Sequence, residues 1–147
     1  MICLLAFMDS KRFADKIVFR IDSGEFLVES LKNICKTHKV KCGWVSGIGA
    51  SDDLTIGLFE TKSKTYHKKR LVGDHEIAPL VGNISTMDEE LYLHLHINVC
   101  DASNNALCGH LNEAKISATF EGCIDIINGD VSRVFDQKSG LNLISFE

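Results

Sequence analysis

Three of the six histidines in this 147-residue chain stand at positions 94, 96 and 110, inside the stretch LHLHINVCDASNNALCGHLNEA (residues 93–114). Apolar and polar residues alternate on either side of DASNN, which predicts two strands, residues 90–99 and 106–112, joined by a five-residue turn. Residues facing each other in an antiparallel hairpin have a constant index sum, and a loop centred on Ser103 sets that sum so that His96 lies opposite His110. Leu93, Leu95, Ile97, Val99, Leu107, Gly109 and Leu111 then share one face, and Tyr92, His94, His96, Asn98, Cys108, His110 and Asn112 share the other. Directly opposed β-carbons are about 5 Å apart and diagonal ones about 7–8 Å, so imidazoles at i, i+2 and the facing position can converge on one ion. Neutral imidazole suits zinc, nickel, copper or iron, and three protein ligands leave one coordination position open.

A His-x-His pair by itself is usually the polar face of a half-exposed strand. The facing His110 is what favours ligation. Cys108 on the same face is either a softer additional ligand or a small hydrophobe, as buried cysteines usually are. Hydrolytic chemistry at such an ion would need an acid–base partner, for which the sequence offers Glu76 and Glu121; the alternative is that both are surface strand carboxylates.

The elements that must hold this hairpin are mostly strands. Residues 16–21 (KIVFRI) alternate, and residues 22–25 (DSGE) offer caps for a helix whose buried face is Phe26, Leu27, Leu31, Ile34 and Cys35, fading near His38. Residues 41–46 predict a strand broken by Gly47-Ile48-Gly49, glycines that permit either a positive φ or close backbone approach. The β-like 54–60 that follows argues against a phosphate-cradling loop, which needs a helix N-terminus. Further strands are expected at 66–72, at 76–85 with Pro79 at an edge or bulge, at 116–127 as one strand or a bent pair, and at 141–146. The expected fold is α+β, a twisted, mostly antiparallel sheet packed with one or two helices.

Composition sets the outer limits. One domain of ordinary size is expected, residues 9–147, with 1–8 as an N-terminal extension; 45% of residues are hydrophobic, 24% are charged and one is proline. Six cysteines without an export signal point to a reducing, cytoplasmic setting. MICLLAFM is too short to span a membrane and lacks a basic n-region, and either Met1 or Met8 can be the start, with residues 1–7 a fraying end or an added edge strand. A net charge of −4 disfavours phosphate backbones as partners. DNA contact would need the local run Lys62, Lys64, Lys68, Lys69 and Arg70, for which a solvated loop is the plainer reading.

The hairpin LHLHINVCDASNNALCGHLNEAKISATFE resembles that of the PPC domain (plant and prokaryote conserved): a His-x-His strand, a polar turn, Gly-Gly-His-Leu or a variant, and an Ala-Thr-x-Glu strand. FRIDSGEFLVESL, SGIGA, EIAPLVGNIS and VFDQKSGLNL are similar to four further motifs of that family, in the same order. Cys108 departs from the first glycine of Gly-Gly-His, and Ser139 stands where threonine is common. The resemblance implies a homotrimer and implies that His94, His96 and His110 hold a metal, generally zinc. Prokaryotic members are commonly labelled DNA-binding, an attribution that follows plant relatives carrying AT-hooks; this chain has no Arg-Gly-Arg-Pro hook. A metal-dependent enzyme and a protein-partner scaffold are the alternatives the sequence leaves open.

Overall fold

The computed structural model describes residues 8–146. The expectations for residues 1–7 lie outside the described residues. Along the chain run β1 (Met8–Phe13), β2 (Lys16–Asp22), α1 (Leu27–His38), β3 (Gly43–Glu60), β4 (Thr65–Met87), β5 (Glu90–Cys100), β6 (Ala106–Ile126), β7 (Ser132–Asp136) and β8 (Leu141–Ser145). Six strands form one sheet in the order β1-β2-β6-β3-β4-β5, and β5 also pairs with the start of β6; β7 and β8 form a separate hairpin. Among the described residues every ladder is antiparallel and there is one helix.

Strand β6 makes this topology possible. Its first residues pair with β5, its middle and end pair with β3, and its last residues also pair with β2, so β6, β3, β4 and β5 close into a ring. Inside lie Leu54, Leu80, Leu95, Ile97, Val99 and Ala114, all nearly inaccessible. On β2 the alternation is strict: Ile17, Phe19 and Ile21 are buried and the residues between them are not. They join one core cluster with Leu27, Leu31, Ile34 and Cys35, the buried side of α1. Phe19 stacks on Phe120 of β6 with ring centroids 6.0 Å apart. Each fully buried aliphatic side chain contributes about 1.5–3 kcal/mol, so this shared core fixes the sheet against the helix.

Several expected boundaries are corrected. The Gly47–Gly49 segment does not break a strand; β3 runs through it with register shifts at Gly47/Gly49 and Ser51/Asp53. Close approach is the glycine's purpose there, since a β-carbon on Gly49 would overlap the Thr119 carbonyl oxygen of β6. The two strands expected at 66–72 and 76–85 are one strand, β4, with Pro79 inside a bulge between Ile77 and Leu80, where the ladder does not demand its missing N–H. Residues 116–126 continue β6 rather than starting anew. β1, paired with β2 from Met8 onward, is an element that its charged sequence DSKR concealed.

The helix is capped from a distance. Residue Phe26 occupies the N-cap and makes no side-chain cap bond, while the expected cap residue Glu25 instead accepts the Asp22 N–H at 2.7 Å. The first turn is satisfied by Glu113 of β6, whose carboxylate accepts the Val28 N–H at 2.7 Å and the Ala114 N–H at 3.0 Å. Burial raises the Glu113 pKa, while the hydrogen bonds from Val28, Ala114 and Glu29 oppose that shift. At the other end Lys39 adopts the left-handed conformation (φ 56°) and its N–H meets the Cys35 and Lys36 carbonyls. Replacing Glu113 by Ala is expected to lower unfolding free energy by about 1–2 kcal/mol in urea titration, with Gln recovering most of the loss because it keeps an acceptor.

Candidate metal centre

The hairpin register is the one the sequence implied: His96 faces His110, Ile97 faces Gly109 and Asn98 faces Cys108. The turn is held by Asp101, whose carboxylate accepts the N–H groups of Ser103 (2.8 Å) and Asn105 (3.0 Å). With Leu95, Ile97 and Val99 inside the ring, His94 and His96 point to its outer side. His94 lies across from Asn83 of β4, His96 from Val81, and His110 from Gly57 of β3.

The three imidazoles converge. Their centroids are 5.1 Å (His94–His96), 5.3 Å (His94–His110) and 5.6 Å (His96–His110) apart. One ligand atom from each lies within 4.8 Å of the others. The Nε2 atoms of His94 and His96 are 3.2 Å apart, suiting an N–H···N hydrogen bond. Two nitrogens bound tetrahedrally at about 2.0–2.1 Å would be about 3.3–3.4 Å apart, so the same placement fits a zinc-like ion. All three donors come from one chain. Burial, then His110, Arg133 and His96, lower the His94 pKa to about 4; burial, then His96, lowers that of His110. Neutral imidazoles are the ligand form.

Around the cluster lies a cleft of about 1020 Å³ between the outer face of β4 and β5, the β3–β4 arm and the β7–β8 hairpin. Tyr66 stands edge-on to His110 at 6.2 Å and donates its hydroxyl to Asn112 Oδ1 at 3.1 Å. Gly57 makes room for it, because a β-carbon there would overlap the Tyr66 hydroxyl. Arg133 of β7 is buried and ties the C-terminal hairpin to the sheet: Nε donates to Ser85 Oγ (2.8 Å), Nη1 to the Asn142 carbonyl (2.7 Å) and Nη2 to Asn83 Oδ1 (2.6 Å). Its guanidinium lies 4.6 Å from the Tyr92 ring centroid.

The other residues singled out from sequence are placed differently. Cys108 lines the cleft but is exposed and is not one of the converging donors. Glu76, on β4 opposite Ala50 and Cys100, and Glu121, on β6 opposite Arg20 and Ile48, are exposed and do not line the cleft. Lys62, Lys64, Lys68, Lys69 and Arg70 are exposed on the β3–β4 arm. Arg70 is engaged in a two-bond pair with Asp53 (2.8 and 2.6 Å), Lys64 bonds the Lys138 carbonyl, and Lys68 lies over the Tyr66 ring at 5.8 Å. Sequence reasoning missed Arg133 and Asn83; Arg133 meets Ser85 and Asn83 from 48 and 50 positions away, and no local pattern marks that pairing.

A ring-closed antiparallel sheet backed by one helix, with a three-imidazole cluster on its outer face, defines the class of protein. The Plants and Prokaryotes Conserved (PCC) domain matches residues 8–128, and the chain belongs to that family. Among solved structures, a Bacteroides thetaiotaomicron protein described as a "putative DNA binding protein" is 34% identical, with 95% of this chain and 98% of that one aligned and a TM-score of 0.92. A metal-containing protein of Archaeoglobus fulgidus is 28% identical over 90% of this chain and 94% of that one, with a TM-score of 0.81. A plant- and prokaryote-conserved (PPC) protein of Pyrococcus horikoshii is 27% identical over 95% of each chain, TM-score 0.81. A comparison with curated proteins gives no match. No helix among the described residues is long and apolar enough to cross a membrane.

The depressed histidines define a pH response. In metal-free protein the folded state favours neutral His94, so the stability tied to it is present above the ordinary histidine pKa of about 6.5 and is lost as pH falls through about 4. NMR titration of the imidazole C–H signals after chelator treatment should place the His94 midpoint near 4, and thermal unfolding should weaken over the same interval.

Proposed function

We propose that the chain is a metal-binding PCC-domain protein in which His94, His96 and His110 hold zinc or another divalent transition metal. The observation that carries this reading is the convergence of three imidazole donors, all within 4.8 Å, from adjacent strands of one chain. The metal-containing relative from Archaeoglobus fulgidus adds support. Such an ion supplies Lewis acidity and a site for an exogenous ligand. No Asp or Glu lines the cleft among the described residues, which favours a binding site over a hydrolytic one that needs a carboxylate base. Purified without chelator, the protein should carry about one metal per chain by elemental analysis, and His96→Ala should lose it; stoichiometric metal in that variant would refute the site.

Assembly as a homotrimer is the second part of the reading, with residues 9–147 acting as one domain. The outer sheet face exposes Val18 (53%), Trp44 (53%), Ile48 (61%) and Val81 (46%). Ladder partners join them into one surface: Val18 faces Cys123, Cys123 faces Ser46, and Ser46 faces Val81. A patch of this kind on a sheet is normally covered by another chain. Light scattering should give three chain masses, and Ile48→Arg should yield monomers that still bind metal, since the donors lie within one chain; a monomeric wild type would overturn the assembly.

Direct DNA contact has narrower support, namely the description of the Bacteroides relative and the exposed Lys62, Lys68 and Lys69. Arg70 is committed to Asp53, and the chain carries a net charge of −4, so the number of phosphates one arm could neutralise is small.

A further inference from the structure

Arg133 does more than fasten the C-terminal hairpin. It is 7% exposed, and its three hydrogen-bond acceptors are a hydroxyl, a carbonyl and an amide oxygen, all uncharged. A guanidinium carries five N–H groups, which leaves two, one on each terminal nitrogen, without a protein acceptor among the described residues. Tyr92 offers its ring face to the cation. No ion pair to Arg133 is present among the described residues, although burying a charge costs several kcal/mol unless it is compensated.

Arg133 also lines the 1020 Å³ cleft, and it is the sole Lys or Arg among the described residues lining it; the lining contains no Asp or Glu. The walls combine apolar side chains, among them Leu58, Val81 and Leu143, with the amides of Asn83 and Asn98. One fixed positive charge, no opposing carboxylate and mainly apolar walls match a singly charged organic ligand better than a phosphate, which carries more charge and no apolar body.

We infer that the cleft is a binding site for a small organic carboxylate, whose acid group meets the two free N–H groups of Arg133 and whose apolar body lies against Leu58 and Leu143. Arg133 sits beside Asn83, the ladder partner of His94, so a ligand anchored there extends toward the imidazole cluster. The site stands on Arg133 and the cleft and does not require an ion on the histidines.

The test is titration of the full chain, as purified and after chelator treatment, with benzoate, with neutral benzamide and with inorganic phosphate. Calorimetry gives the affinities, and the Arg133 Nε–H NMR signal reports the contact. Benzoate should move that signal in both forms and bind about tenfold or more tightly than benzamide, the difference expected for a hydrogen-bonded charge. Arg133→Met should abolish that preference while His94, His96 and His110 still load metal. Should that variant fail to fold, the benzoate–benzamide ratio and the Arg133 signal in the wild type decide the matter. Equal affinity for the two probes, an unmoved Arg133 signal, or tighter binding of phosphate would overturn the proposal. Loss of the metal site alone would leave the chelator-treated arm of the experiment intact.

Discussion

The register of one ladder, His96 opposite His110, is the constraint on which the candidate centre depends. Side chains alternate along a strand with a period of two, so a slip of one residue would turn the histidines inward and push Leu95, Ile97 and Val99 into water. Each of these is essentially inaccessible, and exposing three aliphatic side chains would cost about 5–9 kcal/mol, comparable with the whole stability of a small domain. The imidazoles are therefore positioned by the core beneath them. Asp101 adds a local lock by fixing the turn that sets the register.

Ring closure extends the same control to the third histidine. His110 belongs at once to the β5–β6 and β3–β6 ladders, facing His96 on one side and Gly57 on the other. Because β3 and β4 extend beyond that point as a paired arm, Tyr66, opposite Phe59, reaches His110 edge-on. The register shifts at Gly47/Gly49 and Ser51/Asp53 that make β3 hard to count from sequence lie outside the residues that line the cleft.

Legibility from sequence followed the distance between interacting residues. The hairpin was readable because register, turn and face alternation are set within about twenty residues, and α1 because its apolar spacing is local. The helix cap was not, since Glu113 reaches Val28 from 85 positions away while DSGE, a plausible local cap, bends the chain instead. Glycine and proline in residues 43–60 and 65–87 imitate strand ends because their freedom, or their missing N–H, serves breaks and bulges alike. Arg133 was invisible for the same reason as Glu113: its meaning is given by Asn83 and Ser85, residues on another strand about fifty positions earlier.

Electrostatics connects the two halves of the cleft. Arg133 helps depress the His94 pKa, so its field reaches that imidazole, and there it opposes an added cation as it opposes a proton. A divalent ion on three neutral imidazoles, next to a buried guanidinium and with no carboxylate in the lining, would leave the cleft strongly positive. Zinc sites commonly offset such charge with carboxylates hydrogen-bonded to their histidines, yet here the three rings meet one another, a tyrosine and backbone-paired strands. An anion between Arg133 and the histidines would offset both charges, making the two sites mutually reinforcing: each would bind its own ligand more tightly when the other is filled.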